Sequence, residues 1–169
     1  MIYIQWSQHD RQMKIIEDDT VWYATVSCVV RNELNGWRPL PYKDPADEIV
    51  RAITEENILT DIPVMPRPFP VGKWEITSVE DRHDKYRKPF LILTDAFQEL
   101  DEWELTPEGG YDKPSGLKVK DYQYGIHFSE SSTTQGCIKV HEIGDLVRLV
   151  QSCCREFDQG ETPVIEVVT

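Results

Sequence analysis

The stretch Tyr124-Gly-Ile-His-Phe-Ser-Glu-Ser-Ser-Thr-Thr-Gln-Gly-Cys-Ile-Lys-Val140 concentrates the chemistry of this 169-residue chain. It places His127 on a short apolar segment, then a loop of small hydroxyl residues, then Cys137 directly after Gly136. A thiol becomes a nucleophile when a neighbouring base favours the thiolate, and a loop of this length can fold back to bring its ends together. The stretch therefore predicts a cysteine nucleophile with His127 as its base. The alternative interpretation is a small buried cysteine and a structural histidine.

The length and composition indicate one folded domain with a net negative charge. The chain is 40% hydrophobic, which is too apolar for a disordered chain. Its 18 Lys and Arg residues against 30 Asp and Glu residues give a net charge of −12. Such a field repels phosphate backbones and anionic lipids, so neither nucleic acid nor a membrane is expected as a partner. The N-terminus lacks a secretory signal, so we expect synthesis and folding in the cytoplasm.

Most of the chain has the pattern of β-strands. Alternating apolar residues predict an antiparallel meander over residues 2–30. Further strands are predicted at Lys73–Val79 and Phe90–Thr94, and a last strand at Pro163–Val168. Residues 105–118 contain two prolines and three glycines, so a loop is expected there.

Two helices are predicted. The first begins at Asp44–Pro45, since proline is favoured in the first turn, and extends to Leu59. It belongs to an inserted loop and helix at about 32–62. The second follows Val140 and ends at Gly160, because apolar residues at helical spacing form one face there: Ile143, Leu146, Val147, Val150, Cys153, Cys154 and Phe157.

The other cysteines fit structural positions. Cys28 is predicted to be a core residue of the third strand, because it continues an alternating apolar pattern. Cys153 and Cys154 lie on the apolar face of the last helix and are expected to be buried and unreactive. The sequence contains no Cys-x-x-Cys pair, so a disulfide framework is not expected. Cys137 is therefore the candidate nucleophile.

The other histidines are weaker candidates. His141 lies close to the start of the last helix and is the alternative base for Cys137. His83 lies between Arg82 and Asp84, but the spacing of metal ligands is missing, so a solvated loop is expected. We therefore expect neither a metal ion nor another cofactor.

The central stretch resembles the active-site signature of the L,D-transpeptidase (YkuD-like) family. That signature is a histidine on a strand, a loop, then Ser/Thr-His-Gly-Cys, an apolar residue and usually arginine. The matching residues are Ile126–His127 and Thr134-Gln-Gly-Cys-Ile-Lys139, and Pro68–Ile76 is similar to the family's Thr-Pro-x-Gly-x-aromatic segment. The resemblance implies a single catalytic domain over residues 1–169. It also implies a mostly β fold, a β-sandwich or curved mixed sheet, with two α-helices.

This sequence departs from the signature at three points. The loop from His127 to Thr134 is shorter than in the commonest members, and Gln135 replaces the second histidine. Lys139 in place of arginine keeps the charge but loses the bidentate fork for a carboxylate. Short loops occur in a divergent branch that includes interbacterial effectors, which attack murein stem peptides as L,D-carboxypeptidases or exchange enzymes. The departures bear on substrate specificity and leave Cys137 and His127 in place.

The resemblance implies acyl transfer on a peptidoglycan stem peptide, typically a tetrapeptide. The thiolate of Cys137, formed by His127, would attack the third residue's carbonyl and release the terminal D-residue. An amine would then resolve the thioester by transpeptidation or D-amino-acid exchange, and water would resolve it by hydrolysis. The backbone N–H groups of Gly136 and Cys137 would hold the oxyanion. The remaining candidates for oxyanion or substrate binding are Thr134, Gln135, Lys139, Tyr122 and Tyr124, the last being equally suited to core packing.

Such a substrate lies in the periplasm or cell wall, so the missing signal implies another export route. The effector resemblance also implies a delivery or immunity protein as a partner. Two alternatives stay open: a cysteine peptidase or amidase acting on another peptide, and a non-enzymatic binding or structural module that retains the fold. Stem-peptide digests distinguish the first alternative. Fast alkylation of Cys137 near neutral pH, suppressed in His127→Ala, would argue against the second.

Overall fold

The chain forms a closed β-barrel, a second sheet and a helix, as seen in a computed structural model. The structure describes residues 1–30, 40–41, 63–65, 67–81, 90–105, 111–122, 124–129 and 136–169. In chain order the strands are β1 Ile2–Ser7, β2 Gln12–Glu17, β3 Thr20–Ser27, β4 Leu40–Pro41, β5 Pro63–Val64, β6 Gly72–Asp81, β7 Phe90–Thr94, β8 Gln98–Leu105, β9 Tyr111–Asp121, β10 Gly125–Phe128, β11 Ile138–Val140 and β12 Val164–Val168.

Eight strands close the barrel in the order β1-β12-β6-β7-β10-β11-β3-β2, and β2 pairs with β1 to complete the ring. The predicted N-terminal meander is confirmed, because β1, β2 and β3 pair antiparallel in sequence order. Two pairings of the barrel are parallel, β1 with β12 and β10 with β11. The first brings together the two ends of the described chain, and the barrel cannot close without it. The second forms the candidate site.

The prediction of a β-sandwich or curved mixed sheet was wrong, because the sheet closes on itself. Closure requires β1 to pair with β12, whose residues are far apart in the sequence. No local pattern of apolar residues specifies that pairing, since a strand in an open sheet has the same alternation. Of the two expected helices, the described residues contain one; the helix predicted from Asp44 to Leu59 lies outside them, as does the rest of the expected insertion except for β4.

Alternation along the strands fills the interior of the barrel. Ile2, Ile4 and Trp6 on β1 are buried, as are Met13 and Ile15 on β2. Full burial of one such side chain contributes about 1.5–3 kcal/mol relative to its exposure. The interior is therefore apolar, so polar side chains of the barrel strands collect on the outer face.

Helix α1, Ile143–Asp158, packs on the barrel. Its buried apolar side chains are Leu146, Leu149, Val150 and Cys153. The predicted burial of Cys154 was wrong, because Cys154 is exposed. Successive helical residues are about 100° apart, so the helix that buries Cys153 turns its neighbour toward solvent. Among the described residues, no helix has both the length and the apolar character needed to cross a bilayer.

The second sheet has the order β4-β5-β8-β9. The loop predicted over residues 105–118 was wrong for residues 111–118, since β9 begins at Tyr111 and pairs with β8 as a long antiparallel partner; residues 106–110 lie outside the described part of the chain. Pro114 lies opposite Trp103 between two shifts in the register. Because β9 is the last strand in the order, it tolerates a proline that a central strand would exclude.

Candidate active site

The parallel pairing of β10 with β11 brings His127 and Cys137 together. His127 lies opposite Lys139, and Cys137 precedes β11 by one residue, so His127 is two residues further along the neighbouring strand. With a rise of about 3.3 Å per residue and a strand spacing of about 4.8 Å, their Cα atoms are roughly 8 Å apart. A thiol and an imidazole can together span that separation. The predicted pair is thus brought to one end of one strand pair.

The burial of the neighbouring residues defines the face that carries the thiol. Ile138 and Val140 are fully buried and belong to the barrel core, while Cys137 and Lys139 do not. Cys137 is half-buried. On β10, Ile126 is a core residue and His127 is half-buried. Since strand residues alternate between faces, the thiol and the imidazole lie on the side away from the core.

A backbone contact selects the tautomer of the neutral His127 ring. Its Nδ1 lies 3.1 Å from the carbonyl oxygen of Phe128. A carbonyl oxygen only accepts, so this hydrogen bond places the proton of the neutral ring on Nδ1. Nε2 then carries the lone pair, as a general base for a thiol requires.

Gly136 is a position that only glycine fits. Its φ is +121°, a conformation that residues with a Cβ rarely adopt. A Cβ there would lie 2.6 Å from Cε1 of Tyr124 and 3.0 Å from the carbonyl oxygen of Arg67. The tight approach of Tyr124 therefore requires glycine directly before the thiol.

The ring of Tyr124 packs against Gly136 from within the core. It is 3% exposed, and its hydroxyl donates a hydrogen bond to the carboxylate of Asp121 and accepts one from Nε2 of Gln98 at 2.8 Å. Its ring packs edge-on against Phe69, with centroids 5.7 Å apart. Of the two roles expected for Tyr124, the structure supports core packing, because the side chain belongs to the core that shapes the turn at Gly136.

Cys28 also contacts the turn before the thiol. It is buried, as predicted for a core residue, although it follows the last residue of β3. Its Sγ lies 3.3 Å from the carbonyl oxygen of Gly136 and accepts a hydrogen bond from the N–H of Phe69 at 3.4 Å. The sequence held no signal for this contact, because Cys28 and Gly136 are 108 residues apart.

Lys139 is more buried than a solvent-facing substrate contact would be. Only 5% of the residue is exposed, and burial lowers the pKa of its ammonium group. It lies between His127 on β10 and Ser27 on β3. Lys139 therefore occupies the middle position of this row of three strands, and its charge acts on His141.

His141 follows the end of β11, and its ring turns toward β3. Its Nε2 is 2.9 Å from Oγ of Ser27. Burial first, and then the charges of Lys139 and Arg11, lower the pKa of His141. His127 therefore remains the predicted base, because the Nε2 of His141 is engaged by Ser27.

Tyr122 lies in a surface cluster of aromatic rings. Its centroid is 6.2 Å from that of Phe97, which in turn is 5.5 Å from that of Trp74. The ammonium group of Lys120 lies 5.1 Å from the ring centre of Tyr122 and 4.4 Å from that of Phe97. The other predicted positions, Thr134, Gln135 and His83, lie outside the described residues.

Comparisons with known proteins add a distant likeness in fold. No family model and no curated protein matches the sequence. Among solved structures, L,D-transpeptidase 1 of Mycobacterium tuberculosis is similar, with a TM-score of 0.40 and 12% sequence identity. The similarity covers 99% of this chain and 62% of that protein's chain, so this chain spans less than two thirds of it. The chemistry assigned to the site rests on its geometry and on the residues of the central stretch.

Proposed function

We propose that this protein is a cysteine-dependent acyltransferase that acts on peptidoglycan stem peptides. The observation that carries the proposal is the placement of His127 beside Cys137 across the parallel strands β10 and β11, with Nδ1 held by the carbonyl of Phe128. A histidine oriented by a third group and set beside a thiol has the arrangement of a nucleophile with its base. The residues of the central stretch, which resemble those of L,D-transpeptidases, support the choice of substrate class.

The reaction proceeds in two acyl transfers. Nε2 of His127 takes the thiol proton, and Sγ of Cys137 forms a bond to the carbonyl carbon of the third stem residue. The electron pair of the C=O bond moves to oxygen and returns as the C–N bond breaks. His127 gives its proton to the departing amine of the terminal D-residue, which leaves a thioester on Cys137.

The second transfer regenerates the thiol. An amine or a water molecule attacks the thioester carbonyl and loses its proton to His127. The C–S bond then breaks, and His127 returns that proton to Sγ of Cys137. An amine acceptor produces a cross-link or an exchanged D-residue, whereas water produces a shortened tripeptide. The backbone N–H groups of Gly136 and Cys137 stabilise the oxyanion in both steps, since they lie at the nucleophile itself.

The test is digestion of a purified tetrapeptide stem followed by mass spectrometry. We expect the wild-type protein to release the terminal D-residue, or to exchange it for a labelled D-amino acid added in excess. Cys137→Ala is expected to abolish both reactions. Cys154→Ala is the matched control, because it makes the same change at an exposed cysteine on α1 and is expected to retain activity.

Two results would contradict the proposal. Undiminished release in Cys137→Ala would show that the thiol is not the nucleophile. If the wild-type thiol becomes acylated by simple esters but the stem peptide is never processed, the nucleophile stands and the substrate class is wrong.

A further inference from the structure

We propose that Cys28 is a positioning residue that orients the backbone N–H of Cys137 for oxyanion stabilisation. The inference rests on the proposed acyl transfer at Cys137 and deepens it. Cys28 itself is buried in the barrel core and does not touch the reacting atoms. It acts through the peptide unit that links Gly136 to Cys137.

The Cys28 thiol both donates and accepts a hydrogen bond. The carbonyl oxygen of Gly136, 3.3 Å from Sγ, only accepts, so the S–H group donates to it. The N–H of Phe69, 3.4 Å from Sγ, only donates, so sulfur accepts from it. The buried thiol must therefore be protonated to hold both partners. It connects the end of β3, the segment before β6 and the turn before β11.

The geometry of a trans peptide carries this contact to the catalytic residue. In a planar trans unit, the C=O of one residue and the N–H of the next point in opposite directions. All peptide bonds among the residues that the structure describes are trans. Because the Gly136 carbonyl points to Cys28 in the core, the Cys137 N–H points away from the core, toward the face that carries the thiol.

The left-handed conformation of Gly136 makes such a restraint necessary. With φ at +121° and no Cβ, this residue can rotate the following peptide unit more freely than any other residue type. Tyr124 limits the turn from one side, and the Cys28 thiol holds its carbonyl. An oxyanion donor accelerates a reaction only when it is already aimed at the developing charge.

Two reactions of the Cys137 thiol separate the orientation of its backbone N–H from the nucleophilicity of its sulfur. Acylation by p-nitrophenyl acetate forms an S–C bond, places negative charge on the carbonyl oxygen and expels p-nitrophenolate. Alkylation by iodoacetamide forms an S–C bond at the methylene carbon and expels iodide, with no charge developing on a carbonyl oxygen. Only acylation uses the oxyanion donor. All measurements are made in a Cys154→Ser background, because Cys154 is exposed and would also react.

We expect Cys28→Ala to lower the rate constant for acylation of Cys137 by about 10- to 100-fold. The rate of alkylation at the same pH should stay within about 2-fold, because the base and the thiol are unchanged. Cys28→Ser keeps a donor and an acceptor, so it should restore acylation to within about 5-fold of wild type. Cys153→Ala is the matched control, since Cys153 is a buried cysteine on α1 and its loss should leave both rates unchanged.

The outcomes are distinct from those of the proposed function. Equal acylation in wild type and a folded Cys28→Ala variant would overturn the positioning role, as would a parallel fall in acylation and alkylation. A wild-type thiol that alkylates but never acylates would overturn it as well. If acylation by p-nitrophenyl acetate depends on Cys28 while the stem peptide is not processed, the positioning role stands and only the proposed substrate fails.

Discussion

The aromatic ring of Tyr124 lies so close to Gly136 that a Cβ on the glycine would be 2.6 Å from Cε1 of the ring. The glycine also has a φ of +121°. Both the close approach and the backbone conformation therefore exclude a side chain directly before the candidate nucleophile. This relationship connects the core of the barrel to the chemistry at its surface.

Gly136→Ala is expected to destabilise the protein by about 2–5 kcal/mol, since it adds backbone strain to an overpacked contact. Chemical denaturation measures the loss. Gly116→Ala is the control, because Gly116 also has a positive φ, +89°, but has no atom within 4 Å of the added Cβ. It should cost only the backbone part, about 1–2 kcal/mol. Equal losses in the two variants would show that the ring contact contributes nothing.

His127→Gln is expected to slow alkylation of Cys137 by iodoacetamide at pH 7 by at least about 10-fold, because the base that generates the thiolate is lost. The rate should recover above pH of about 9, where ordinary thiols ionise without help. Peptide mass spectrometry assigns the modified cysteine. His141→Gln is the control and should stay within about 2-fold of wild type, since its Nε2 contacts Ser27. A larger effect of His141→Gln than of His127→Gln would reverse the assignment of the base.

His141 should also make the stability of the protein fall at acidic pH. Burial and the charges of Lys139 and Arg11 lower its pKa below the ordinary value of 6.5. As the pH falls below 6.5, the unfolded chain takes up this proton before the folded protein does, so folding becomes less favourable. One proton gives a slope of at most about 1.4 kcal/mol per pH unit.

His141→Gln should show a shallower loss of unfolding free energy between pH 6.5 and the acidic range, as measured by urea denaturation. His9→Gln serves as the control, because His9 is exposed in the turn after β1 and should retain the wild-type slope. A wild-type slope in His141→Gln would mean that another group causes the acid sensitivity.

Tyr124→Phe is expected to lower stability by about 1–3 kcal/mol, because it removes a donor to the buried carboxylate of Asp121. The ring that packs on Gly136 remains, so the alkylation rate of Cys137 should change little. Tyr23→Phe changes an exposed tyrosine and should stay within about 0.5 kcal/mol of wild type. A neutral Tyr124→Phe would show that Asp121 does not depend on this hydroxyl.

Elements with a strong local period could be predicted, whereas positions with an ambiguous local pattern could not. The meander and helix α1 follow from alternation and from helical spacing, which act within a few residues. The strand β9 was missed because its glycine and Pro114 suggest a loop, whereas pairing with β8 at the edge of a sheet holds them in a strand. Cys154 was misplaced because a one-residue rotation of a helix decides which of two adjacent cysteines is buried.

By itself, the sequence determined the types of the candidate catalytic groups and the strands that carry them. His127 and Cys137 lie in one stretch of chain, so their pairing follows from a short loop between two apolar segments. Only the tertiary structure decided the closure of the barrel through β1 and β12, and the placement of Cys28 against Gly136. These contacts join residues more than one hundred positions apart, and packing in the common core selects them because no local propensity encodes such pairs.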